Sequence, residues 1–263
     1  MVFINTKRMP ADLRTHYVEE VQYNVNELIV RGLMVTPFQS VQRIVVYLRG
    51  GKGQVGRVRL GRLLQFVHDR TLVFAPYYRG NNGSEGHDEF AGADLLDVIR
   101  AVKILKNMYP EASVHLIGFS RGGIQGLLTF QKVQADSYII WGGVTDIRLM
   151  YEERSDLRGM LRRMIGHPKK HPIAYEQREA LRYIHAQSPP ILIIHGGRDK
   201  QVNIHQAYHL EEYLKTVHAY YDTYYQMLEG HVPRPYAMDD VLQYINQWMD
   251  SVENDKKRDA MQI

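Results

Sequence analysis

The chain has 263 residues, enough for one large α/β domain, and 44% of them are hydrophobic, which argues against wholesale disorder. It contains no cysteine, which excludes disulfide bonds, a thiol nucleophile and cysteine-ligated zinc and fits a reducing cytoplasm. The net charge of +4 comes with no nucleic-acid-binding motif, so we expect no nucleic-acid partner. The first residues lack the apolar segment of a signal peptide, and no run of about 18 apolar residues predicts a transmembrane helix, so we expect a cytoplasmic protein without a membrane partner.

The first predicted element is a β-hairpin over residues 15–36, in which the turn formers of "NVNE" join two strands. Short apolar runs then alternate with helical patterns along the chain. The runs that predict strands are "RIVVYLRGG", "TLVFAP", "SVHLIGF", "SYIIWGG", "PILIIHGG" and "AYYDTYYQML". Helices are predicted over residues 57–70, 93–108, from 122 onward, 203–216 and 237–250. This alternation predicts an α/β fold with a mostly parallel sheet that is covered on both faces.

Residues 147–187 interrupt the alternation with a long, helical and charged segment, which we interpret as a cap over a functional site. We assign residues 1–263 to a single domain and expect residues 253–263 to form a charged, frayed tail. Four arginines of the cap form either a solvated helix face or an attraction for a substrate carboxylate: Arg154, Arg158, Arg162 and Arg163.

The stretch "GFSRGG" places Ser120 between Gly118 and Gly122, where a predicted strand gives way to a helix. This G-x-S-x-G pattern is typical of the nucleophile elbow, a turn so sharp that bulkier neighbours would clash with the backbone. A glycine-rich turn without chemistry is the alternative. We predict that Ser120 is a catalytic nucleophile, since the start of the following helix also offers free N–H groups.

A serine hydroxyl needs a general base and an acid that orients this base. In the elbow arrangement these residues follow the serine in the order acid, then histidine. Asp199 comes after the strand "PILIIHGG" and His231 after the strand "AYYDTYYQML", so both fall at the same edge of the sheet as Ser120. We therefore predict Asp199 as the acid and His231 as the base.

Other residues compete for these roles. Asp146 also follows a strand end and is the alternative acid, and His87 lies in a polar loop that could approach the site. His205 and His209 have the i, i+4 spacing of metal ligands on a helix, but no acidic third ligand is evident. We therefore predict neither a metal nor a cofactor.

Acyl transfer also needs an oxyanion hole, usually made of two backbone N–H groups. One is expected from Arg121, the residue after the serine. The other is expected from the loop "YLRGGKG", where Gly51 lets the backbone approach the substrate closely. A simple glycine-rich turn is the alternative for this loop.

Together these motifs resemble the catalytic domain of the prolyl-oligopeptidase family of α/β-hydrolases, and especially its small single-domain bacterial members. The resemblance covers residues 15–250 and is carried by "YLRGG", "APYYRGNNGSEG", "GFSRGG", "HGGRDKQV" and "EGHVP". It implies the α/β-hydrolase fold and a Ser-Asp-His triad. It also implies that Arg79 anchors its loop, and that Tyr77 and Tyr78 either line the substrate pocket or pack in the core.

Two features depart from the family pattern. Arg49 stands where the family has a histidine before two glycines, and the large N-terminal propeller has no counterpart, which implies an open site. We therefore predict a serine hydrolase of small peptides, amides or esters. The alternatives are a carboxylesterase without peptidase activity and a non-catalytic hydrolase-fold binding module. The tyrosine-rich strand "AYYDTYYQM" is expected at a sheet edge, where it could pair two chains into a homodimer.

Overall fold

The computed structural model describes residues 2–53 and 55–261. Within these ranges nine strands form one sheet. The strands are β1 (Asn5–Met9), β2 (His16–Val25), β3 (Leu28–Pro37), β4 (Arg43–Leu48), β5 (Thr71–Pro76), β6 (Ser113–Phe119), β7 (Ser137–Trp141), β8 (Ile191–Gly196) and β9 (Tyr221–Gln226). Their order across the sheet is β1-β2-β3-β5-β4-β6-β7-β8-β9, antiparallel from β1 to β5 and parallel from β5 to β9.

Helices occupy the connections between the parallel strands, and one more helix follows β9. They are α1 (Leu60–Leu64), α2 (Leu95–Met108), α3 (Gly122–Thr129), α4 (Ile147–Glu153), α5 (Arg158–Met164), α6 (Pro172–Glu176), α7 (His205–Thr216) and α8 (Pro235–Met261), with 3₁₀ turns at Ser155–Leu157 and Leu181–Tyr183. No helix in the described part of the chain is long and apolar enough to cross a membrane.

Alternate residues of the central strands supply two apolar cores, one on each face of the sheet. In β4, Ile44 and Val46 belong to the core that α2 and α3 cover, whereas Val45 and Tyr47 belong to the core that α1 and α8 cover. Because side chains alternate in direction along a strand, an unbroken apolar run such as "RIVVYL" fills both cores. Because the strands from β5 to β9 are parallel, their carboxyl ends lie along one edge of the sheet, where the following loops can form a site.

The predicted α/β architecture is confirmed. The hairpin is formed by β2 and β3, and the interrupting segment folds into α4, α5 and α6. The edge strand β1 has no clear signal in the sequence, and the helix predicted over residues 57–70 shortens to α1. The predicted frayed tail is wrong for residues 253–261, which continue α8; residues 262 and 263 lie outside the described residues.

Candidate active site

Ser120 lies in the tight turn between β6 and α3. Its φ of +56° is in the left-handed region, which a serine adopts only where the surrounding structure holds it. A Cβ at Gly118 or Gly122 would overlap neighbouring backbone, so both positions require glycine. The Ser120 N–H donates to the carbonyl of Trp141 at 3.1 Å, and the Ser120 carbonyl accepts from Val144 at 3.0 Å. Both peptide groups of the serine are thus fixed by the neighbouring strand and its loop.

His231 and Asp199 form a hydrogen-bonded pair next to this turn. His231 Nδ1 lies 2.6 Å from Asp199 Oδ2. The two residues follow β9 and β8, and these adjacent parallel strands bring their loops together. The imidazole also packs on Phe119, with the ring centroids 4.8 Å apart. In this arrangement Nδ1–H donates to the carboxylate, which leaves Nε2 to accept a proton.

Backbone groups hold the second oxygen of the Asp199 carboxylate. Asp199 Oδ1 accepts the N–H groups of Gln201 and Val202 at 2.7 and 2.9 Å. Burial alone would raise the pKa of Asp199, but hydrogen bonds from His195 and His231 and the charge of His231 outweigh it and hold this pKa well below its ordinary value. Asp199 is therefore ionised at neutral pH.

Gly142 allows the pair to approach the end of β7. Its φ is +50°, and a Cβ at this position would lie 3.3 Å from His231 Nδ1 and 3.4 Å from Asp199 Oδ2. A larger residue would therefore be strained and would also crowd the hydrogen bond between the imidazole and the carboxylate.

Ser120 and His231 line one cavity of about 700 Å³. Three residues of the segment that interrupts the alternation, Met150, Leu157 and Met160, form part of its apolar wall. Among the hydrogen bonds of the described residues, none joins Ser120 Oγ to the His231 ring. Such contacts commonly tighten only when substrate binds.

Two backbone N–H groups beside Ser120 are available to an oxyanion. Gly51 and Arg121 both line the cavity, and within the described residues neither of their N–H groups donates to a protein acceptor. Gly51 has a φ of +67°, and a Cβ there would overlap the carbonyl of Val55, so this position requires glycine. The two donors satisfy the usual composition of an oxyanion hole.

The buried side chain of Arg121 connects the two donors. Its guanidinium lies 2.5 Å from Asp88 Oδ1 and 2.8 Å from Asp94 Oδ2. It also donates to the carbonyl of Gly51 at 3.2 Å. Arg121, the residue after Ser120, is thereby tied to the loop that carries Gly51. A parallel anchor holds the Arg79 loop, since Arg79 Nη2 lies 2.7 Å from Asp97 Oδ1.

Tyr77 and Tyr78 do not reach the cavity, and their assignment to a substrate pocket is therefore not supported. Both are buried, and neither lines the cavity wall. The Tyr77 hydroxyl lies 3.4 Å from Glu20. The guanidinium groups of Arg49 and Arg121 each lie 5.4 Å from the centroid of the Tyr78 ring. Both side chains pack in the core, which is the alternative that the sequence left open.

The competing acids and bases are located elsewhere. Asp146 caps α4, because its Oδ1 accepts two backbone N–H groups at the start of that helix. His87 is exposed and does not line the cavity. In the part of the chain that the structure describes, no group of three or more His, Asp or Glu residues could hold a metal ion, so the His205 and His209 pair remains incomplete.

The basic side chains of the connection between β4 and α1 are the site residues that the sequence interpretation does not identify. The members that line the cavity are Lys52, Arg57, Arg59 and Arg62. Of the four cap arginines only Arg154 does so. The signal was present in "GKGQVGRVRLGR", which combines basic residues and glycines without an acidic residue directly after a predicted strand end.

Known proteins resemble this chain in sequence and in fold. The BD-FAE family profile matches residues 111–214. The "uncharacterized peptidase YtmA" of Bacillus subtilis (strain 168) is 40% identical over 255 residues, which cover 94% of this chain and 99% of that protein. A Pyrococcus horikoshii acylaminoacyl peptidase superimposes with a TM-score of 0.73 at 18% identity, over 92% of this chain and 42% of its own. The acetyl xylan esterase from Paenibacillus sp. R4 gives 0.70 at 14% identity, over 94% and 89%.

The sheet, the elbow turn and these likenesses define an α/β-hydrolase fold. The chain spans less than half of the acylaminoacyl peptidase but almost the whole of the Bacillus relative. Given 40% identity over that length, the chain belongs to the prolyl-oligopeptidase-type family of α/β-hydrolases, as its motifs indicate. This is a family of hydrolases that includes peptidases and esterases.

Proposed function

We propose that the protein is a serine hydrolase that cleaves small peptides, amides or esters through an acyl-enzyme on Ser120. The observation that carries the proposal is the 2.6 Å hydrogen bond between His231 and Asp199, on the wall of the cavity that Ser120 also lines. A histidine that a carboxylate orients, beside a serine in an elbow turn, can activate the hydroxyl as a nucleophile.

In the first half of the reaction, Ser120 Oγ attacks the carbonyl carbon of the substrate while His231 Nε2 takes the hydroxyl proton. The N–H groups of Gly51 and Arg121 donate to the resulting oxyanion. His231 then gives its proton to the leaving amine or alcohol as the C–N or C–O bond breaks. Ser120 is left as an acyl ester.

In the second half, His231 takes a proton from water, and the resulting hydroxide attacks the acyl carbon. Collapse of the second tetrahedral intermediate releases the acid product and returns the proton to Ser120 Oγ. Asp199 stays ionised throughout and stabilises the imidazolium that forms in each half. Its low pKa supports this role, because a protonated Asp199 could not offset the positive charge.

The substrate class rests on the relatives and on the cavity. Structural neighbours include a puromycin-hydrolyzing peptidase of Mycobacterium tuberculosis (TM-score 0.68, 21% identity over 83% of this chain and 37% of its own) and an acetyl xylan esterase, so the fold accommodates both amide and ester chemistry. A cavity of about 700 Å³ is in the range that holds small molecules. Small peptides, amides and esters all satisfy these limits.

The proposal is tested by measuring kcat/KM for one acyl group presented as a p-nitrophenyl ester and as a p-nitroanilide. We expect Ser120→Ala to lower kcat/KM by roughly three orders of magnitude or more, as removal of a triad member does. Comparable Ser120-dependent rates on both substrates would support a peptidase, and ester turnover alone would identify a carboxylesterase. Activity of Ser120→Ala near that of the wild type would overturn the assignment.

Covalent labelling separates catalysis from binding. A fluorophosphonate probe should label the wild type at Ser120 and should label His231→Ala far more slowly, because the reaction needs an activated hydroxyl. A non-catalytic binding module would resist the probe or would react independently of His231.

A further inference from the structure

The cavity beside Ser120 combines apolar walls with charges of one sign. Its basic residues project from the connection between β4 and α1 and from the cap, whereas no aspartate or glutamate of the described residues lines it. Such a surface gives an anionic ligand a favourable potential and apolar contact together.

Arg62 is a positive charge of the cavity wall that two aromatic rings hold in place. Its guanidinium carbon lies 5.3 Å from the ring centroid of Phe119 and 5.3 Å from that of Trp141. Arg62 Nη1 donates to Gln65 Oε1 at 2.8 Å. Cation–π contacts of this kind fix a guanidinium without neutralising its charge. Phe119 also packs on His231, so the charge of Arg62 is separated from the histidine by one ring.

Two other arginines of the cavity wall are neutralised by carboxylates. Arg121 is bound by Asp88 and Asp94, and Arg154 lies 2.6 Å from Asp156. Arg62, in contrast, forms no ion pair with any carboxylate of the described residues. A half-buried cation without a counter-ion is available to a ligand that supplies the missing negative charge.

Two further cations extend this potential to the mouth of the cavity. Lys52 and Arg59 line the cavity, are exposed, and pair with no carboxylate in the part of the chain that the structure describes. An approaching anion would therefore meet the exposed charges first and the fixed guanidinium of Arg62 deeper inside.

We propose that the hydrolase prefers substrates that carry a carboxylate, and that Arg62 is the residue that recognises this group. The inference rests on the proposed function, because it names the substrate class of the same cavity. The carboxylate can belong either to the acyl part of the substrate or to its leaving group.

The test compares charged and neutral versions of each half. On the acyl side the pair is p-nitrophenyl hydrogen suberate and methyl p-nitrophenyl suberate. On the leaving-group side it is 4-carboxyphenyl octanoate and 4-carbamoylphenyl octanoate. For one of the pairs we expect kcat/KM of the wild type to favour the anion about tenfold. This preference should shrink as NaCl rises from about 0.05 to about 0.5 M, because salt screens charge.

Arg62→Met keeps an unbranched side chain against Phe119 and removes the charge. It should reduce the preference, the ratio of kcat/KM for the anion to kcat/KM for its neutral partner, to about one. Arg182→Met is the matched control, because Arg182 also lies over an aromatic ring, that of Tyr183, but does not line the cavity. If Arg62→Met only disturbed the packing against Phe119, kcat/KM would fall equally for the charged and the neutral substrate of a pair.

Equal wild-type kcat/KM for the charged and neutral members of both pairs would overturn the inference, as would an undiminished preference in Arg62→Met. If Arg62→Met fails to fold, Arg62→Gln, which also removes the charge, takes its place in the same comparison. Calorimetric binding of monomethyl suberate and dimethyl suberate to Ser120→Ala needs no turnover. Tighter binding of the anion there supports the inference even if Ser120-dependent hydrolysis is absent and the proposed function fails.

Discussion

Asp146 and Asp199 both follow the ends of parallel strands, yet the structure gives their carboxylates different partners. Asp146 directs one oxygen to two backbone N–H groups and so caps α4. Asp199 Oδ1 likewise accepts two backbone N–H groups, but Asp199 Oδ2 lies 2.6 Å from His231 Nδ1. This contact of the second carboxylate oxygen with His231 is what distinguishes Asp199 as the acid of the proposed triad.

Substitution at these two positions should separate the roles. Asp199→Asn should lower kcat by up to about four orders of magnitude, because an amide can favour the wrong tautomer of His231 and cannot offset the imidazolium charge. Asp146→Asn keeps the helix cap, since asparagine caps as well as aspartate, and should leave kcat within about twofold. Steady-state kinetics on the same ester measure both. A loss of activity in Asp146→Asn with Asp199→Asn intact would reverse the assignment.

The sequence predicts the three proposed catalytic residues because each follows a strand end, and parallel strands end at one edge of the sheet. The same logic fails for Tyr78, which also follows a strand end but has a φ of +62° and lies near two arginines in the core. It also fails for Arg62, whose position depends on the rings of Phe119 and Trp141. Contacts between distant segments are not encoded in local spacing.

At the scale of elements, the C-terminal half of α8 is held by the start of two strands. Glu253 accepts Arg43 Nε at 2.6 Å and Arg43 Nη2 at 2.8 Å, and it lies 3.1 Å from His115 Nε2. Burial alone would raise the pKa of Glu253, but hydrogen bonds from His115, Arg43 and Ser113 outweigh it and hold this pKa well below its ordinary value. These contacts of Glu253 explain why α8 continues past residue 253, although the charged sequence there predicts a frayed tail.

Removing this carboxylate should destabilise the fold in a pH-dependent way. Glu253→Gln should lower the free energy of unfolding at pH 7 by about 1.5–3 kcal/mol, the range for hydrogen bonds to charged groups. The folded-state pKa is depressed, so the stabilisation is complete above 4.5, the ordinary value for glutamate, and is lost as pH falls below it. The difference between variant and wild type should therefore shrink towards pH 3.

Urea unfolding at several pH values measures this difference, and exposed Glu111→Gln serves as the control that should change little at any pH. A constant difference across the whole range would contradict the assigned pKa direction.

Elements are most predictable where the local pattern and the fold agree. All six predicted strands are present; the apolar runs of five of them fill both cores, and β9 packs against the cores with half-buried tyrosines. The helix predicted over residues 57–70 shortens because the chain before Leu60 forms part of the cavity wall, where Arg57 and Arg59 lie. The edge strand β1 has an exposed, polar sequence, so only its pairing with β2 defines it.

At the scale of the whole molecule, the sheet ends in β9, which pairs with β8 on one side and with no other strand of the described residues. Carbonyls of Tyr220 and Gln226 accept from β8, so by strand alternation the peptide groups of Tyr221, Thr223 and Tyr225 face outward. Apolar side chains at both ends of this edge are exposed, with exposed fractions of 58% for Tyr220, 55% for Met227 and 64% for Leu228. An unpaired edge flanked by exposed apolar side chains favours self-association.

We therefore expect the chain to form a homodimer through β9 at about 10 µM, a concentration at which a standard-sized interface is commonly occupied. Thr223→Pro should yield a monomer, because proline removes an outward N–H and is tolerated on an edge strand without breaking the pairing with β8. Sedimentation equilibrium gives the mass of each, and Ser120-dependent esterase activity confirms that the variant is folded. The N–H of Thr223 already donates to Asp222 Oδ1 at 2.7 Å, so dimer formation must displace that contact. A wild type that sediments as a monomer at this concentration would show that Asp222 protects the edge rather than leaving it open.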